Sequence, residues 1–227
     1  MKTEDIRQEF IHKYLNNEFR YIGNDVQETK TIEIQNAHFE VDKPYIIREP
    51  NYDYFFRELQ WYNGISLNVN DIPGGAPKMW KACADKDGFI NSNYGWCIFS
   101  EENGNQYVNC LIKLQKDPHT REAIMIYNRP SMHCDAFKNG RHDFMCCQNM
   151  QYFINERNDN TYLDCIVNFR SNDAVFGFNN DSLWAKWVQQ KLAKELGIQC
   201  GKTYWNAGSL HIYERHFKVL EDSIKNS

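Results

Sequence analysis

The 227 residues predict a single α+β domain over 1–227, a mixed β-sheet packed with helices. Three observations predict it. Segments with helical spacing are interleaved with alternating, β-branched segments, without the regular β-α succession of a doubly wound parallel sheet. With 42% hydrophobic and 15% aromatic residues, the chain holds enough apolar surface for one substantial core. No repeat, low-complexity stretch or linker divides it.

Residues 4–20 read as an amphipathic helix, because Ile6, Phe10, Ile11, Tyr14 and Leu15 recur near helical spacing. Gly23-Asn24-Asp25 then breaks it. Residues 29–41 alternate and are β-branched, giving one strand or two. Pro44 and Pro50 mark loops around Tyr45-Ile46-Ile47. Residues 52–62 form an aromatic helix, 65–78 a loop, and Met79-Trp80-Lys81 opens a short helix. After the turn Asp85-Lys86-Asp87-Gly88, an apolar segment runs through 93–99, and Val108, Leu111, Ile112 and Leu114 share one face of a helix. A turn at 116–121 leads to a strand at 123–127 and a polar connection at 129–143. Strands at 149–156 and 161–170 flank Asn158-Asp159-Asn160. Leu183, Trp184, Trp187, Val188 and Leu192 line a helix over 182–196 that Gly197 ends. A strand at 203–210 runs into His211-Ile212-Tyr213, and 214–225 is helical.

The net charge of -4 and pI near 6.0 disfavour a protein that coats nucleic acid, and leave room for a local basic pocket. The eight cysteines accompany a charged start and no apolar leader, so reduced thiols in a cytoplasmic protein are expected. No apolar run approaches the roughly 18 residues that a membrane span needs. There is no CxxC, and adjacent Cys146-Cys147 is poor ligand spacing, so no metal is expected.

The chemistry concentrates around Cys146. A thiol precedes a strand, Arg170-Ser171 ends the next strand, and a polar stretch leads into a helix. A thiolate is a good nucleophile, and a guanidinium fork matches phosphate, so the pattern suits an anionic ligand. Glu58 would ordinarily be a solvated helix carboxylate. Inside this aromatic stretch it is a candidate for burial and a raised pKa, as an acid-base group requires. Cys147 and Cys165 read as small buried apolar residues, and His119, His133 and His142 as surface or core.

Taken in order, these segments resemble the thymidylate synthase family and, within it, the phage deoxycytidylate hydroxymethylases. Glu58-Leu59-Gln60-Trp61-Tyr62-Asn63-Gly64 resembles the helix with the family's acid-base glutamate. Trp80 falls at a folate-stacking tryptophan, and Tyr94-Gly95 at the active-site tyrosine. Lys116-Asp117-Pro118-His119-Thr120-Arg121 is similar to the segment whose arginine reaches the phosphate of a neighbouring subunit. Cys146 takes the nucleophile position. Arg170-Ser171-Asn172-Asp173 resembles the family's Arg-Ser-x-Asp stretch, which implies phosphate for Arg170 and Ser171 and the folate pterin for Asp173. His211-Ile212-Tyr213 resembles its sugar-hydroxyl motif, and Gly177 the family's glycine four residues before the base-reading position, which the resemblance also puts on the cofactor. The resemblance implies a thymidylate synthase-like fold with a sheet face at a homodimer interface, 5,10-methylenetetrahydrofolate as co-substrate, and no stable nucleic-acid partner.

Several departures bear on the reaction. The family's arginine-containing phosphate loop is replaced by Asn24-Asp25-Val26-Gln27-Glu28-Thr29-Lys30-Thr31, where Lys30 either supplies the missing charge or is a surface lysine. Glu122 stands for a second arginine, Cys147 for the histidine after the nucleophile, and a closing C-terminal tail is not obvious. The family's base-reading asparagine, four residues after the glycine, becomes Asp181; a one-residue slip would return an amide, Asn180. Asp181 also reads as the N-cap of the following helix. A carboxylate there accepts from the amino group of cytosine, and from N3 once that nitrogen is protonated, so dCMP is the expected substrate and 5-hydroxymethyl-dCMP the product. A dUMP hydroxymethylase or divergent thymidylate synthase, and a non-catalytic nucleotide- or RNA-binding relative, are the alternatives.

Overall fold

In the computed structural model, which describes residues 1–24 and 27–225, the chain starts with α1 (Thr3–Leu15), fastened by the fully buried Ile6 and Phe10. Asn17 takes left-handed backbone (φ 57°), and the helix stops short of the expected residue 20. The chain enters a hairpin of β1 (Arg20–Asn24) and β2 (Gln27–Glu40), in which Arg20 pairs with Thr31. The strand partner, absent from any local periodicity, decides this stretch. Asp25 and Val26, in the segment that replaces the phosphate loop, lie outside the described residues.

Next come α2 (Tyr52–Asn63), α3 (Lys78–Cys83), α4 (Tyr94–Phe99) and α5 (Gln106–Lys116). Asn51 and Asn93 cap α2 and α4 through side-chain oxygens that accept from Tyr54 N (3.0 Å) and Trp96 N (2.7 Å). The remainder is β3 (Ile124–Ile126), α6 (Asp135–Asn139), β4 (Cys147–Arg157), β5 (Asn160–Phe169), β6 (Asn172–Asp173), α7 (Gly177–Leu196), β7 (Gln199–Tyr213) and α8 (Phe217–Lys225).

The strands make one mixed sheet in the order β1-β2-β7-β5-β4-β3. β7 lies parallel to β5 and to the short β6, and antiparallel to β2. The expected α+β class with a mixed sheet is what forms. Alternation sends Leu163, Cys165, Val167 and Phe169 of β5 to the core face, all buried. α7 lays Trp184, Ala185, Val188 and Leu192 among the same buried core. The other face is partly exposed and carries a ladder of amides: Asn168 donates to Asn149, and Asn206 to Asn168, each at 2.9 Å.

α7 starts five residues earlier than its polar opening suggests. Phe178 is fully buried against Trp205, with ring centroids 5.0 Å apart, and this anchors the first turn. Asp181 is therefore inside the helix and is not its N-cap.

Candidate active site

Helical spacing puts Tyr54 and Glu58 on one face of α2. The Tyr54 hydroxyl donates to Glu58 Oε1 at 2.6 Å. Trp80 Nε1, from α3, lies 2.9 Å from the same oxygen and 3.0 Å from the Tyr54 hydroxyl. Tyr62 and Asn180 also face this carboxyl and act to lower its pKa. Glu58 is only 3% exposed, and burial raises its pKa although these four neighbours pull the other way.

α4 approaches α2 closely because residue 95 is glycine. A β-carbon there would stand 1.8 Å from the Tyr62 carbonyl oxygen. This approach stacks Tyr94 on Tyr62, with centroids 5.4 Å apart, and brings the Tyr94 hydroxyl to the Asp181 carboxyl. Asn172 Nδ2 donates to Asp181 Oδ2 at 2.7 Å. Burial foremost, then the charge of Glu58, pushes Asp181 up to about 8, against the pull of Asn172 and Tyr94. A carboxyl with this pKa is protonated at neutral pH.

Cys146 immediately precedes β4, at a register shift between Cys147 and Asn149. Such a bulge re-aims the chain. The Arg170 backbone N–H donates to the Cys146 carbonyl at 2.9 Å. Arg170 Nε donates to Met145 O at 3.1 Å and Nη2 to Phe144 O, with the guanidinium 4.9 Å over the Phe144 ring. These bonds clamp the arginine onto the segment that presents the thiol. Burial pushes Cys146 up to about 11, the Arg170 charge pulls it down, and Asp181 raises it. The thiol therefore carries its proton at neutral pH in the free protein. Buried Asp143 accepts from Asn91 N (2.5 Å) and Ser92 N (2.7 Å), which ties the same segment to the one ahead of Tyr94.

A second group borders this one. Pairing of β6 with β7 sets Asp173 opposite His211. His211 is buried, which lowers its pKa, and its ring lies edge-on to Tyr213 at 4.6 Å. His216 Nδ1 is 3.8 Å from Asp173 Oδ2, while Asp173 Oδ1 accepts from Val175 N at 2.9 Å. Gly177 bridges both groups: a β-carbon on it would lie 3.4 Å from Asp173 Cβ and 3.7 Å from Asp181 Oδ2.

The structure thus gathers Glu58, Trp80, Tyr94, Cys146, Arg170, Asp173, Gly177, Asp181, His211 and Tyr213, with the partly buried Ser171 next to Arg170. Two expected residues stand apart. Arg121 is exposed before β3, where its carbonyl accepts from Gln151 Nε2 at 2.8 Å. The Lys30 ammonium sits 3.7 Å above the Phe19 ring. Among the described residues, neither shares a hydrogen bond or ion pair with the cluster. His119, His133 and His142 are exposed.

The thymidylate synthase family model matches residues 9–227. The chain belongs to the thymidylate synthase family. It is 45% identical to the deoxycytidylate 5-hydroxymethyltransferase of Enterobacteria phage T4 over 97% of its own length and 90% of the relative's. The enzyme of the same description from phage T6 matches equally. A putative thymidylate synthase of Methanocaldococcus jannaschii is 29% identical over 54% of each chain. The solved structure of thermostable thymidylate synthase A from Bacillus subtilis superimposes with a TM-score of 0.72 at 20% identity, over 99% of this chain and 84% of that one, so the fold is shared. Three neighbours of the cluster carry no family motif. Tyr54 was legible as the residue four before Glu58. Asn172 was the unassigned place in Arg-Ser-x-Asp. Asp143 carried no signal, since its partners lie some 50 positions earlier in the chain.

Proposed function

We propose that the chain is a deoxycytidylate 5-hydroxymethyltransferase, which converts dCMP, 5,10-methylenetetrahydrofolate and water to 5-hydroxymethyl-dCMP and tetrahydrofolate. The observation that carries this reading is the partly buried Asp181 carboxyl, held by Asn172 at 2.7 Å beside Tyr94, with its pKa pushed up to about 8. Cytosine presents an N3 acceptor beside an amino donor. With the proton on Asp181, the acid donates to N3 and its other oxygen accepts from the amino group. With the proton on N3, the carboxylate accepts from both. The discrimination lies in the ionised form, which accepts from the cytosine amino group and protonated N3 but would face the O4 acceptor of uracil with another acceptor.

Cys146 is the nucleophile: its thiol releases its proton to solvent and the sulfur adds to C6. Addition pushes electron density toward N3, where the Asp181 proton receives it, and makes C5 nucleophilic. Methylenetetrahydrofolate, when bound, supplies the one-carbon unit that becomes the hydroxymethyl carbon. The residues present suit it: the Trp80 indole and Phe176, 43% exposed, offer ring surface, and Asp173 offers an acceptor beside Gly177. Glu58, with Tyr94, moves the proton of the water that completes the reaction. Arg170 and Ser171 hold the phosphate, with Lys30 the candidate for the charge that the family's missing loop arginine supplies. His211 and Tyr213 hold the 3'-hydroxyl.

Arg121 points to a homodimer. It stands outside its own chain's cluster, and a second copy on the amide-laddered sheet face would carry it to the partner's phosphate. All eight cysteines are free, which suits a reducing cytoplasm, that of the host cell for a phage-encoded enzyme.

The test is incubation with methylenetetrahydrofolate and either dCMP or dUMP, with products weighed by mass spectrometry. Hydroxymethyl gained by dCMP alone supports the reading. Modified dUMP refutes the role of Asp181. Appearance of dihydrofolate refutes hydroxymethylation, and nucleotide binding without product refutes catalysis.

A further inference from the structure

Glu58 is buried in the floor of the site, and a buried carboxylate needs donors to stay ionised. The direction of its hydrogen bonds is fixed by chemistry. An indole N–H can only donate, so Trp80 gives to Glu58 Oε1 and to the Tyr54 oxygen. The Tyr54 hydroxyl thus receives from Trp80 and spends its one hydrogen on Glu58 Oε1, at 2.6 Å. The three groups close a triangle, drawn from α2 and α3, in which two bonds end on the carboxylate and the third runs from Trp80 to the Tyr54 oxygen. Tyr54 itself is half-buried, with the Arg57 guanidinium 5.4 Å from its ring centroid.

We propose that Tyr54 is a positioning residue for the proton step, holding the Glu58 carboxylate ionised and in one orientation. This rests on the reading of Glu58 as the acid-base group. The titratable neighbours of Glu58 are Tyr54 and Tyr62 on α2 and Asp181 on α7; α3 contributes the neutral Trp80. Glu58 ionises while Asp181 still holds its proton, and the Tyr54 and Trp80 bonds favour that ionisation. Loss of the Tyr54 hydroxyl therefore leaves Glu58 protonated to higher pH, and the base form becomes available later in a titration.

The experiment is the pH dependence of kcat for dCMP hydroxymethylation by Tyr54→Phe, which removes one oxygen and keeps the ring. The expected result is a kcat about tenfold lower at neutral pH, KM for dCMP within about twofold, and an acidic limb moved up by about one pH unit, the worth of one hydrogen bond to a charged group. Incorporation of 3-fluorotyrosine at position 54, a stronger donor in the same place, moves that limb the other way. A purely structural role lowers thermal stability and moves neither limb, so unshifted profiles in both variants overturn the proposal. Glu58→Gln separates the two readings. If it retains turnover, the acid-base assignment of Glu58 has failed. If it is inactive while both Tyr54 variants keep wild-type profiles, only the inference about Tyr54 has failed.

Discussion

Asn172 donates its amide hydrogen to Asp181 Oδ2 across 2.7 Å, joining the short β6 to the second turn of α7. This bond favours one setting of the carboxyl about its last torsion. The base-reading group therefore meets the pyrimidine in one orientation, and discrimination by unpaired polar groups becomes available. Asn172→Ala is expected to lower kcat/KM for dCMP by about tenfold, the value of one such bond, and to narrow the preference over dUMP. The ratio of the two kcat/KM values is the measurement.

Asp181→Asn replaces the carboxyl by an amide, whose donor and acceptor suit N3–H and O4 of uracil. The variant is expected to shift preference from dCMP toward dUMP. Competition between the two nucleotides in one reaction reads this out, and unchanged cytosine preference would remove Asp181 from the base.

The same residue makes a stability prediction. Its pKa is about 8 in the folded protein against an ordinary 3.8, so between these values the folded state binds more protons than the unfolded one. Stability from this group is complete below about pH 4 and lost as pH rises through about 8. Glu58 shifts in the same direction. Asp181→Asn deletes the Asp181 contribution, so its urea midpoint is expected to gain on wild type between pH 5 and pH 8.

Arg170 is bound to the carbonyls of Met145 and Phe144 and draws the Cys146 pKa down. Arg170→Gln is expected to raise it and slow alkylation of Cys146 by iodoacetamide, about tenfold for each pKa unit. Peptide mapping isolates Cys146 from the exposed Cys134.

If Arg121 serves the partner's phosphate, Arg121→Ala and Cys146→Ala are each inactive alone. Mixed and allowed to exchange subunits, they are expected to recover about a quarter of wild-type activity, because half the dimers are mixed and each has one intact site. No recovery would place Arg121 elsewhere.

Gly95 tests how the site is assembled. A β-carbon there would fall so near the Tyr62 carbonyl that Gly95→Ala is expected to cost about 3 kcal/mol, near the upper end of overpacking penalties, and to lower Tm by about 10 °C.

Read alone, the sequence determined the mixed α+β class and the order of the chemical groups. Alternation in 161–170 and the apolar stripe of 182–196 report which side faces the core, and these are local patterns. Cys146, Arg170 and Asp181 were legible because side-chain type and spacing carry their chemistry. Only the tertiary structure decided the rest. Residues 20–24 became a strand because β2 pairs with them, and α7 began at Gly177 because Phe178 packs on Trp205. It also decided the ionisation states. The raised pKa of Glu58, the value near 8 at Asp181 and the protonated Cys146 thiol all come first from burial, and burial is set by residues distant in sequence. The triangle of Tyr54, Glu58 and Trp80 belongs to the same class: helical spacing supplies two of its members, and the packing of α3 supplies the third.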